Sequence, residues 1–205
     1  MAQNENAVTA LFTSAMQTWC PPDAIFGTFP TGGADRQWLA DMILARSGAA
    51  CLVEMKYDVS DLASELRTKK RANLLLSALS VPESDWHEHG HFASWSEASG
   101  PQRDVFVGVY AAALRSQGGA KWRAQQFADQ FFGGQLGLDF ETFDRYSMWL
   151  AGLYKTTGEE AGKACLMLST QAGSAIVFDN PLDLLESWQA TRGPPRSRPL
   201  RGEKR

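Results

Sequence analysis

The chain has no long hydrophobic run and few cysteines, and both absences exclude classes of protein. Among its 205 residues, the longest apolar runs, such as Val105–Ala113, fall far short of the roughly 20 residues of a membrane span. The three cysteines are widely spaced and odd in number, which excludes a disulfide framework and a zinc ribbon. The N-terminus lacks the basic start and apolar stretch of a secretory signal. We therefore expect a cytoplasmic protein with no membrane partner.

Signatures of the common phosphate-binding and cysteine enzymes are also missing. The sequence contains neither GxxxxGK[ST] nor a GxGxxG that follows a strand, so nothing predicts a nucleotide-binding loop. No cysteine has a histidine partner in a recognisable local signature, which argues against a cysteine nucleophile.

Composition and charge predict one globular domain with a basic tail. With 44% hydrophobic and 21% charged residues, the chain can bury a core. The net charge is −3, but the segment 192–205 carries +5, which leaves −8 on the rest. We predict one α/β domain over 1–190, with a core at 5–112 and a C-terminal elaboration at 113–190. The Pro- and Arg-rich tail 191–205 is predicted to be disordered, and either contacts phosphates or only aids solubility.

Hydrophobic periodicity predicts a mixed central sheet flanked by helices, with a helical and hairpin C-terminal extension. Segments 80–102 and 20–35 read mainly as connections, the latter around one short strand. The predicted helices are 6–19, 58–79, 120–132, 140–154 and 181–189, and the predicted strands are 38–45, 50–57, 105–112, 165–170 and 175–178.

The stretch CLVEMKYD, residues 51–58, carries two charged residues on one side of an apolar strand. Side chains alternate along a strand, so Glu54 and Lys56 share a face, about 6–7 Å apart. Asp41 lies within the preceding apolar segment, and a hairpin between the two strands brings Asp41 opposite Glu54. Burying carboxylates is costly unless they are paired or bind a metal. Oxygen ligands of this kind suit Mg²⁺ or Mn²⁺, whose bound water can attack a phosphodiester.

The pattern D-x12-ExK, with a helix before it and a helix after it, resembles the PD-(D/E)XK nuclease superfamily, which includes restriction endonucleases. The resemblance covers roughly residues 5–112 and implies a restriction-endonuclease-like fold that hydrolyses DNA. It implies that Asp41 and Glu54 bind the metal, that the carbonyl of Met55 completes its shell, and that Lys56 serves the attacking water. Small nucleases of this type often belong to bacterial antiviral defence or mobile-element systems.

Further positions can be matched to the family by the same resemblance. An acid on the first helix would be Glu5, and a polar residue that points back from the helix after ExK would be Lys69. Asp35, in GGADRQW, rivals Asp41 for the acidic position but stands in a turn-like stretch.

The three histidines all fall within HEHGH, as His87, His89 and His91. Imidazoles are common zinc ligands, but no Cys-x-x-Cys or distant His supplies a fourth ligand. The polar flanks favour an exposed loop. A loop that reaches over the Asp41 site, and zinc ligation, are the alternatives.

Basic residues cluster in RTKKR, residues 67–71, and beside Trp122 at Lys121 and Arg123. Both groups either face solvent or contact a nucleic-acid backbone.

Three functions remain open from the sequence. The first is a Mg²⁺-dependent DNA endonuclease, with a protein partner subunit or a homo-oligomer presenting the substrate to an acidic body. The second is a non-catalytic assembly module in which Glu54 and Lys56 form a simple ion pair and C-terminal aromatic residues dock a protein. The third is an RNA-cleaving toxin that uses the same site. The aromatic residues in question are Trp122, Phe127, Phe131, Phe132, Phe143 and Trp149.

Overall fold

A computed structural model of the chain describes residues 2–31, 40–68, 70–116, 120–155, 166–169, 175–178 and 180–192. The described chain contains both helices and strands, in several places two or three of one kind in succession. The elements are α1 (Ala2–Thr18), β1 (Phe26–Pro30), β2 (Met42–Arg46), β3 (Ala49–Asp58), α2 (Val59–Thr68), α3 (Lys70–Ala78), α4 (Glu83–Gly90), β4 (His91–Ser99), β5 (Gln102–Val109), α5 (Tyr110–Ser116), β6 (Trp122–Arg123), α6 (Ala124–Phe132), β7 (Leu138–Asp139), α7 (Phe140–Lys155), β8 (Leu166–Ser169), β9 (Ala175–Phe178) and α8 (Pro181–Arg192).

A seven-stranded mixed sheet forms the centre of the protein. Six strands follow the order β1-β2-β3-β4-β5-β6, and β7 pairs with the beginning of β3. All neighbouring pairs are antiparallel except β3 and β4, which run parallel and are connected through α2, α3 and α4. The parallel pair needs this helical crossover because a short turn cannot return the chain to the same end of the sheet.

Helices cover both faces of the sheet and create two apolar clusters. On one face, Phe12 and Met16 of α1 and Phe127 of α6 pack against Val53 and Met55 of β3. On the other face, residues of α2, α3, α5, α7 and α8 pack against Ile43, Leu52 and Trp95, among others. The predicted α/β class with a mixed sheet flanked by helices is therefore confirmed. No helix among the described residues is both long and apolar enough to cross a membrane.

Strand β3 is central and buried on both faces over its first eight residues. Its apolar residues alternate between the two clusters: Cys51 and Val53 face α1, and Leu52 faces the α2 side. Glu54 and Lys56 continue the Leu52 side, so they enter the interior of the protein and not a solvated edge.

The predicted hairpin around residues 46–49 is confirmed, because Met42 pairs with Val53 and Arg46 with Ala49. One detail of this hairpin was wrong: Asp41 was expected inside a strand that begins at residue 38. The described strand begins at Met42, and Asp41 lies in a bend just before it. Residues 32–39, including Asp35, lie outside the described residues.

The prediction of a loop over 80–102 is wrong, because this segment forms α4, the central strand β4 and the start of β5. Strand β4 pairs with β3 on one edge and β5 on the other, and its first six residues are all buried, so its small polar residues, Ser94 and Ser96, lie in the interior. A strand buried on both faces does not need the apolar–polar alternation by which exposed strands are recognised.

Other element boundaries also differ from those expected. The predicted helix 58–79 appears as α2 and α3, and the strand expected to run to residue 112 ends at Val109, where α5 begins. Helix α8 extends to Arg192, two residues into the predicted tail, and residues 193–205 lie outside the described residues.

The C-terminal aromatic residues are core residues and do not form a docking face. Phe127, Phe131 and Phe143 are fully buried. Trp122, Phe132 and Trp149 are partly buried and pack against the same two clusters. Each of these rings packs in the interior on one face of the sheet. The aromatic residues therefore no longer support the hypothesis of a protein-docking module.

Two glycines provide a matched test of the packing of β7 against α4. A Cβ on Gly90 would lie 2.5 Å from Cδ1 of Leu138, whereas nothing lies within 4 Å of a Cβ on Gly152 in α7. Gly90→Ala should displace Leu138 and destabilise the protein by about 1–3 kcal/mol. Gly152→Ala should stabilise it by about 0.5–1 kcal/mol through helix propensity. Denaturant unfolding of both variants tests this, and equal stabilities would contradict the close contact at Gly90.

Candidate active site

Strand β3 runs directly into α2, and local hydrogen bonds set where this helix begins. Oδ1 of Asp58 accepts a hydrogen bond from the Ser60 amide at 3.2 Å. In return, Oδ2 of Asp61 accepts one from the Asp58 amide at 3.1 Å. This reciprocal cap satisfies amides that the first helical turn leaves free. Helix α2 then turns Leu62 and Glu65, three residues apart, to its buried face.

The ammonium group of Lys56 lies among oxygens from three elements. Its Nζ donates to Oε1 of Glu54 at 2.8 Å and to the carbonyl of Met55 at 2.9 Å. Oε1 of Glu65 lies 3.2 Å away, and Oδ2 of Asp41 lies 3.8 Å away. Sequence-distant carboxylates therefore converge on one cation.

Asp41 is held in this group by the backbone of β3. Its Oδ2 accepts a hydrogen bond of 2.7 Å from the Met55 amide. Its own carbonyl accepts from the amide of Thr31, at 3.0 Å. The bend before β2 is thus tied to both neighbouring strands, and the carboxylate reaches the Glu54 end of β3 as the hairpin predicted.

The structure brings together the residues that the sequence selected as a set: Asp41, Glu54, the Met55 carbonyl and Lys56. Two other suggested positions do not join them. Lys69 lies outside the described residues, and Glu5 is on α1, which packs against the opposite face of the sheet.

Glu65 is the site residue that the sequence analysis missed. Its side chain is 4% exposed and it contacts Lys56. The available signal was its position: an acid three residues after Leu62 falls on the apolar stripe of α2, where a carboxylate needs a partner. The polar residue expected to point back from the helix after ExK was sought at Lys69 instead.

Burial makes the charges of this cluster interact strongly. The side chains of Lys56, Glu54, Glu65 and Asp41 are between 4% and 9% exposed. Burial alone lowers the pKa of Lys56, but the three carboxylates outweigh it and hold this pKa above its usual value. Three carboxylates buried beside one ammonium are costly in the protein interior unless hydrogen bonds and positive charge satisfy them.

The donor set suits a hard divalent cation in chemistry, although the lysine ammonium takes the central position. Three carboxylates and a carbonyl are the oxygen ligands that Mg²⁺ and Mn²⁺ prefer. Among the described residues, no three His, Cys, Asp or Glu side chains are already arranged to hold a metal ion. A metal would therefore require the carboxylates to rearrange around it.

The histidine segment is not an exposed loop. His87 and His91 are each 1% exposed, whereas His89 faces outward on α4, where its Nδ1 lies 2.9 Å from the Asp85 carbonyl. Both buried rings approach one hydroxyl group, since Nδ1 of His87 and Nδ1 of His91 lie 2.6 Å and 2.9 Å from the Tyr146 oxygen. Zinc ligation by all three histidines is excluded by this separation of His89.

The buried histidines are neutral and their hydrogen bonds have a direction. Burial lowers the pKa of His87 well below its usual range, and burial lowers that of His91 to about 4. The Ala111 amide donates to Nε2 of His87 at 3.0 Å, so the proton of this ring is on Nδ1 and is donated to Tyr146. The Tyr146 hydroxyl can then donate its own proton to Nδ1 of His91.

The basic groups noted in the sequence are distributed differently. Arg67 and Lys70 are exposed at the α2–α3 junction, and Arg71 lies over the Tyr154 ring. Lys121 pairs with Glu97, and Arg123 pairs with Asp104 at 3.1 Å. The last two cations are therefore already neutralised by acids.

Comparisons of the chain with protein-family models, with curated proteins and with solved structures give no match.

Stability should fall as the pH drops, because the two buried histidines resist protonation. In the unfolded chain a histidine takes up its proton near pH 6.5, whereas folded His91 does so only near pH 4. The stability is thus complete above about pH 6.5 and is lost as the pH approaches 4. Between pH 6.5 and 5 we expect His91 to contribute a loss of roughly 1.5 kcal/mol, to which the lowered pKa of His87 adds. Urea unfolding at several pH values measures this loss.

A pair of variants separates this effect from general acid sensitivity. His91→Gln should reduce the loss between pH 6.5 and 5, while the exposed His89→Gln should retain it. The same slope in both variants would contradict the assignment. The groups that face the two rings are Tyr110, Tyr146, Arg115, Arg71 and Glu54.

Removal of the central ammonium should destabilise the protein strongly. Lys56→Met leaves three buried carboxylates without this cation, for which we expect a cost of about 3–5 kcal/mol. Lys121→Met removes an ammonium that pairs with Glu97 near the surface and should cost no more than about 1 kcal/mol. Guanidinium unfolding at neutral pH compares the two, and a small loss for Lys56→Met would mean that the carboxylates do not depend on it.

Proposed function

We propose that the protein is a metal-dependent nuclease that hydrolyses phosphodiester bonds of DNA, on a restriction-endonuclease-like fold. The single observation that supports this most is the convergence of Asp41, Glu54 and the Met55 carbonyl on Lys56, in a buried cluster of three carboxylates around one ammonium. The order of elements adds support, since α1 precedes the β2–β3 hairpin and α2 begins at Val59, three residues after Lys56.

In this proposal each residue of the site has a distinct role. Asp41, Glu54 and the Met55 carbonyl would hold Mg²⁺ or Mn²⁺, and Glu65 lies close enough to adjust the position of Lys56. The bound metal supplies an activated water and stabilises charge on the phosphoryl oxygens. The carboxylates would hold the metal and its water close to the Lys56 ammonium.

Lys56 acts in its charged form. The surrounding carboxylates keep its pKa above the usual value, so it stays protonated at neutral pH. A protonated ammonium cannot take a proton from water, but it can donate hydrogen bonds to the attacking water or to a phosphoryl oxygen as charge develops. We therefore assign the charged Lys56 to orientation of the water and to charge stabilisation.

The substrate is expected to reach the site with the help of a second protein or a second copy. Apart from its basic tail, the chain is acidic overall, so long-range attraction for a phosphate backbone is weak. A subunit of a bacterial defence or mobile-element system fits this need, by analogy with small nucleases of the superfamily.

A non-catalytic assembly module is the second candidate. The observation that favours it is the 2.8 Å ion pair of Lys56 with Glu54, together with the absence, among the described residues, of a preformed metal arrangement. RNA cleavage would use the same residues as DNA cleavage, so a panel of DNA and RNA substrates distinguishes these two.

Asp41→Asn tests the metal and the chemistry together. The asparagine keeps an oxygen that can accept from the Met55 amide but loses the ligand charge. We expect wild-type protein to show Mn²⁺-dependent DNA cleavage and a Mn²⁺-dependent thermal shift, and Asp41→Asn to lose at least about 100-fold in cleavage rate and most of the shift.

Asp104→Asn is the matched control, because this carboxylate pairs with Arg123 on the other side of the sheet's centre and should leave both readouts unchanged. An assembly module would show neither cleavage nor a metal-dependent shift in the wild-type protein. Cleavage that Asp41→Asn preserves would remove the assigned site.

A further inference from the structure

A line of hydrogen bonds extends from Lys56 beyond the carboxylates of the site. Oε1 of Glu65 lies 3.2 Å from the Lys56 ammonium. The other oxygen of the same carboxylate, Oε2, accepts a hydrogen bond of 2.7 Å from the Tyr110 hydroxyl. Tyr110 thus reaches the catalytic ammonium through one intervening side chain.

We infer that Tyr110 is a positioning residue, which fixes Glu65 and through it the direction of the Lys56 ammonium. This inference rests on the proposed function, in which Lys56 is the catalytic cation. It also assigns a role to the C-terminal half, because a residue of α7 holds Tyr110 in place.

Lys56 needs such a restraint because its side chain is flexible. A lysine ammonium is a point charge on four rotatable carbons, with three donors that can turn freely. Glu54 and the Met55 carbonyl belong to its own strand and move with it, and Asp41 lies farther away at 3.8 Å. Glu65 makes the contact that a separate helix provides, so it sets the direction of the ammonium relative to the rest of the site.

Tyr110 is itself locked by its surroundings. It is 4% exposed and stacks on the His91 ring, with centroids 4.7 Å apart and an angle of 21° between the planes. It is also the first residue of α5, next to Ala111, whose amide donates to His87. The stack on His91 and the burial of the ring therefore favour the orientation in which the Tyr110 hydroxyl reaches Glu65.

The Tyr146 hydroxyl connects this arrangement to α7. It lies between Nδ1 of His87 and Nδ1 of His91, and its proton can satisfy His91 while its oxygen accepts from His87. The ring of His91, fixed in this way, is the surface on which Tyr110 stacks. The position of α7 therefore reaches Glu65 through the Tyr146 hydroxyl, the His91 ring and Tyr110.

Tyr110→Phe tests the inference, because it keeps the ring that stacks on His91 and removes only the donor to Glu65. The first readout needs no activity: the hydrogen exchange of the Lys56 ammonium, measured by NMR on protein with ¹⁵N-labelled lysine. We expect exchange to become roughly 3- to 10-fold faster, since Glu65 loses a charge-assisted hydrogen bond. Tyr146→Phe should give a smaller increase in the same direction.

The second readout separates positioning from binding. At saturating Mn²⁺, Tyr110→Phe should lower kcat by roughly 3- to 10-fold, with the KM for DNA and the Mn²⁺ concentration for half of the thermal shift unchanged. The control is Tyr57→Phe, which also removes one phenol hydroxyl and keeps the ring that lies 4.2 Å from the Arg103 guanidinium. This control should match the wild type in exchange and in kcat.

The outcomes distinguish the inference from the function on which it rests. The positioning role would be overturned if the Lys56 ammonium exchanged at the wild-type rate in Tyr110→Phe. It would also be overturned if Tyr57→Phe accelerated this exchange as much as Tyr110→Phe does. If exchange is faster in Tyr110→Phe alone but the wild-type protein does not cleave DNA, Tyr110 still restrains Lys56 and the proposed nuclease function is wrong. Cleavage by Tyr110→Phe at the wild-type kcat would overturn positioning and leave the nuclease in place.

Discussion

The structure depends on one buried ammonium group and the carboxylates that surround it. Lys56 stands on the central strand β3, and its partners come from β3 itself, from the bend before β2 and from α2. Each carboxylate would be costly in the interior by itself, and the Lys56 ammonium offsets part of that cost. The carboxylate oxygens that are costly to bury are also the ligands that a divalent cation prefers, which is why we connect the cluster with function.

A second polar group adjoins the Lys56 cluster in the interior. It consists of His87, His91, Tyr110 and Tyr146. It is neutral where the Lys56 cluster is charged, because burial favours the uncharged imidazoles of His87 and His91. The Tyr146 hydroxyl forms a hydrogen bond with Nδ1 of each ring. The two groups meet at Tyr110, which stacks on His91 and donates a hydrogen bond to Glu65. Helices α5 and α7 therefore help to position the charged cluster, as α2 does.

Much of the charged cluster was predictable from local pattern. Glu54 and Lys56 alternate with apolar residues on a strand, and the short turn after Arg46 brings Asp41 toward them. The alternation along the strand and the length of the turn were therefore sufficient to predict that these three residues lie together. Glu65 could have been found only by noticing an acid on the apolar stripe of α2. Strand β4 was missed because it contains several polar residues, among them Ser94 and Ser96. Its burial depends on its position between β3 and β5 and on the helices that cover the sheet, which are distant in sequence.

By itself, the sequence determined the α/β class, the hairpin that carries the acids, and the identity of three residues of the site, because alternation along strands and short turns are local properties. Only the tertiary structure decided that Lys56 occupies the centre of the cluster, that Glu65 and Tyr110 join it, and that His87 and His91 are buried on Tyr146. These contacts join residues that are between 9 and 59 positions apart in the chain. They depend on how α2, α5 and α7 pack on the sheet, and the summed burial of the apolar clusters sets that packing.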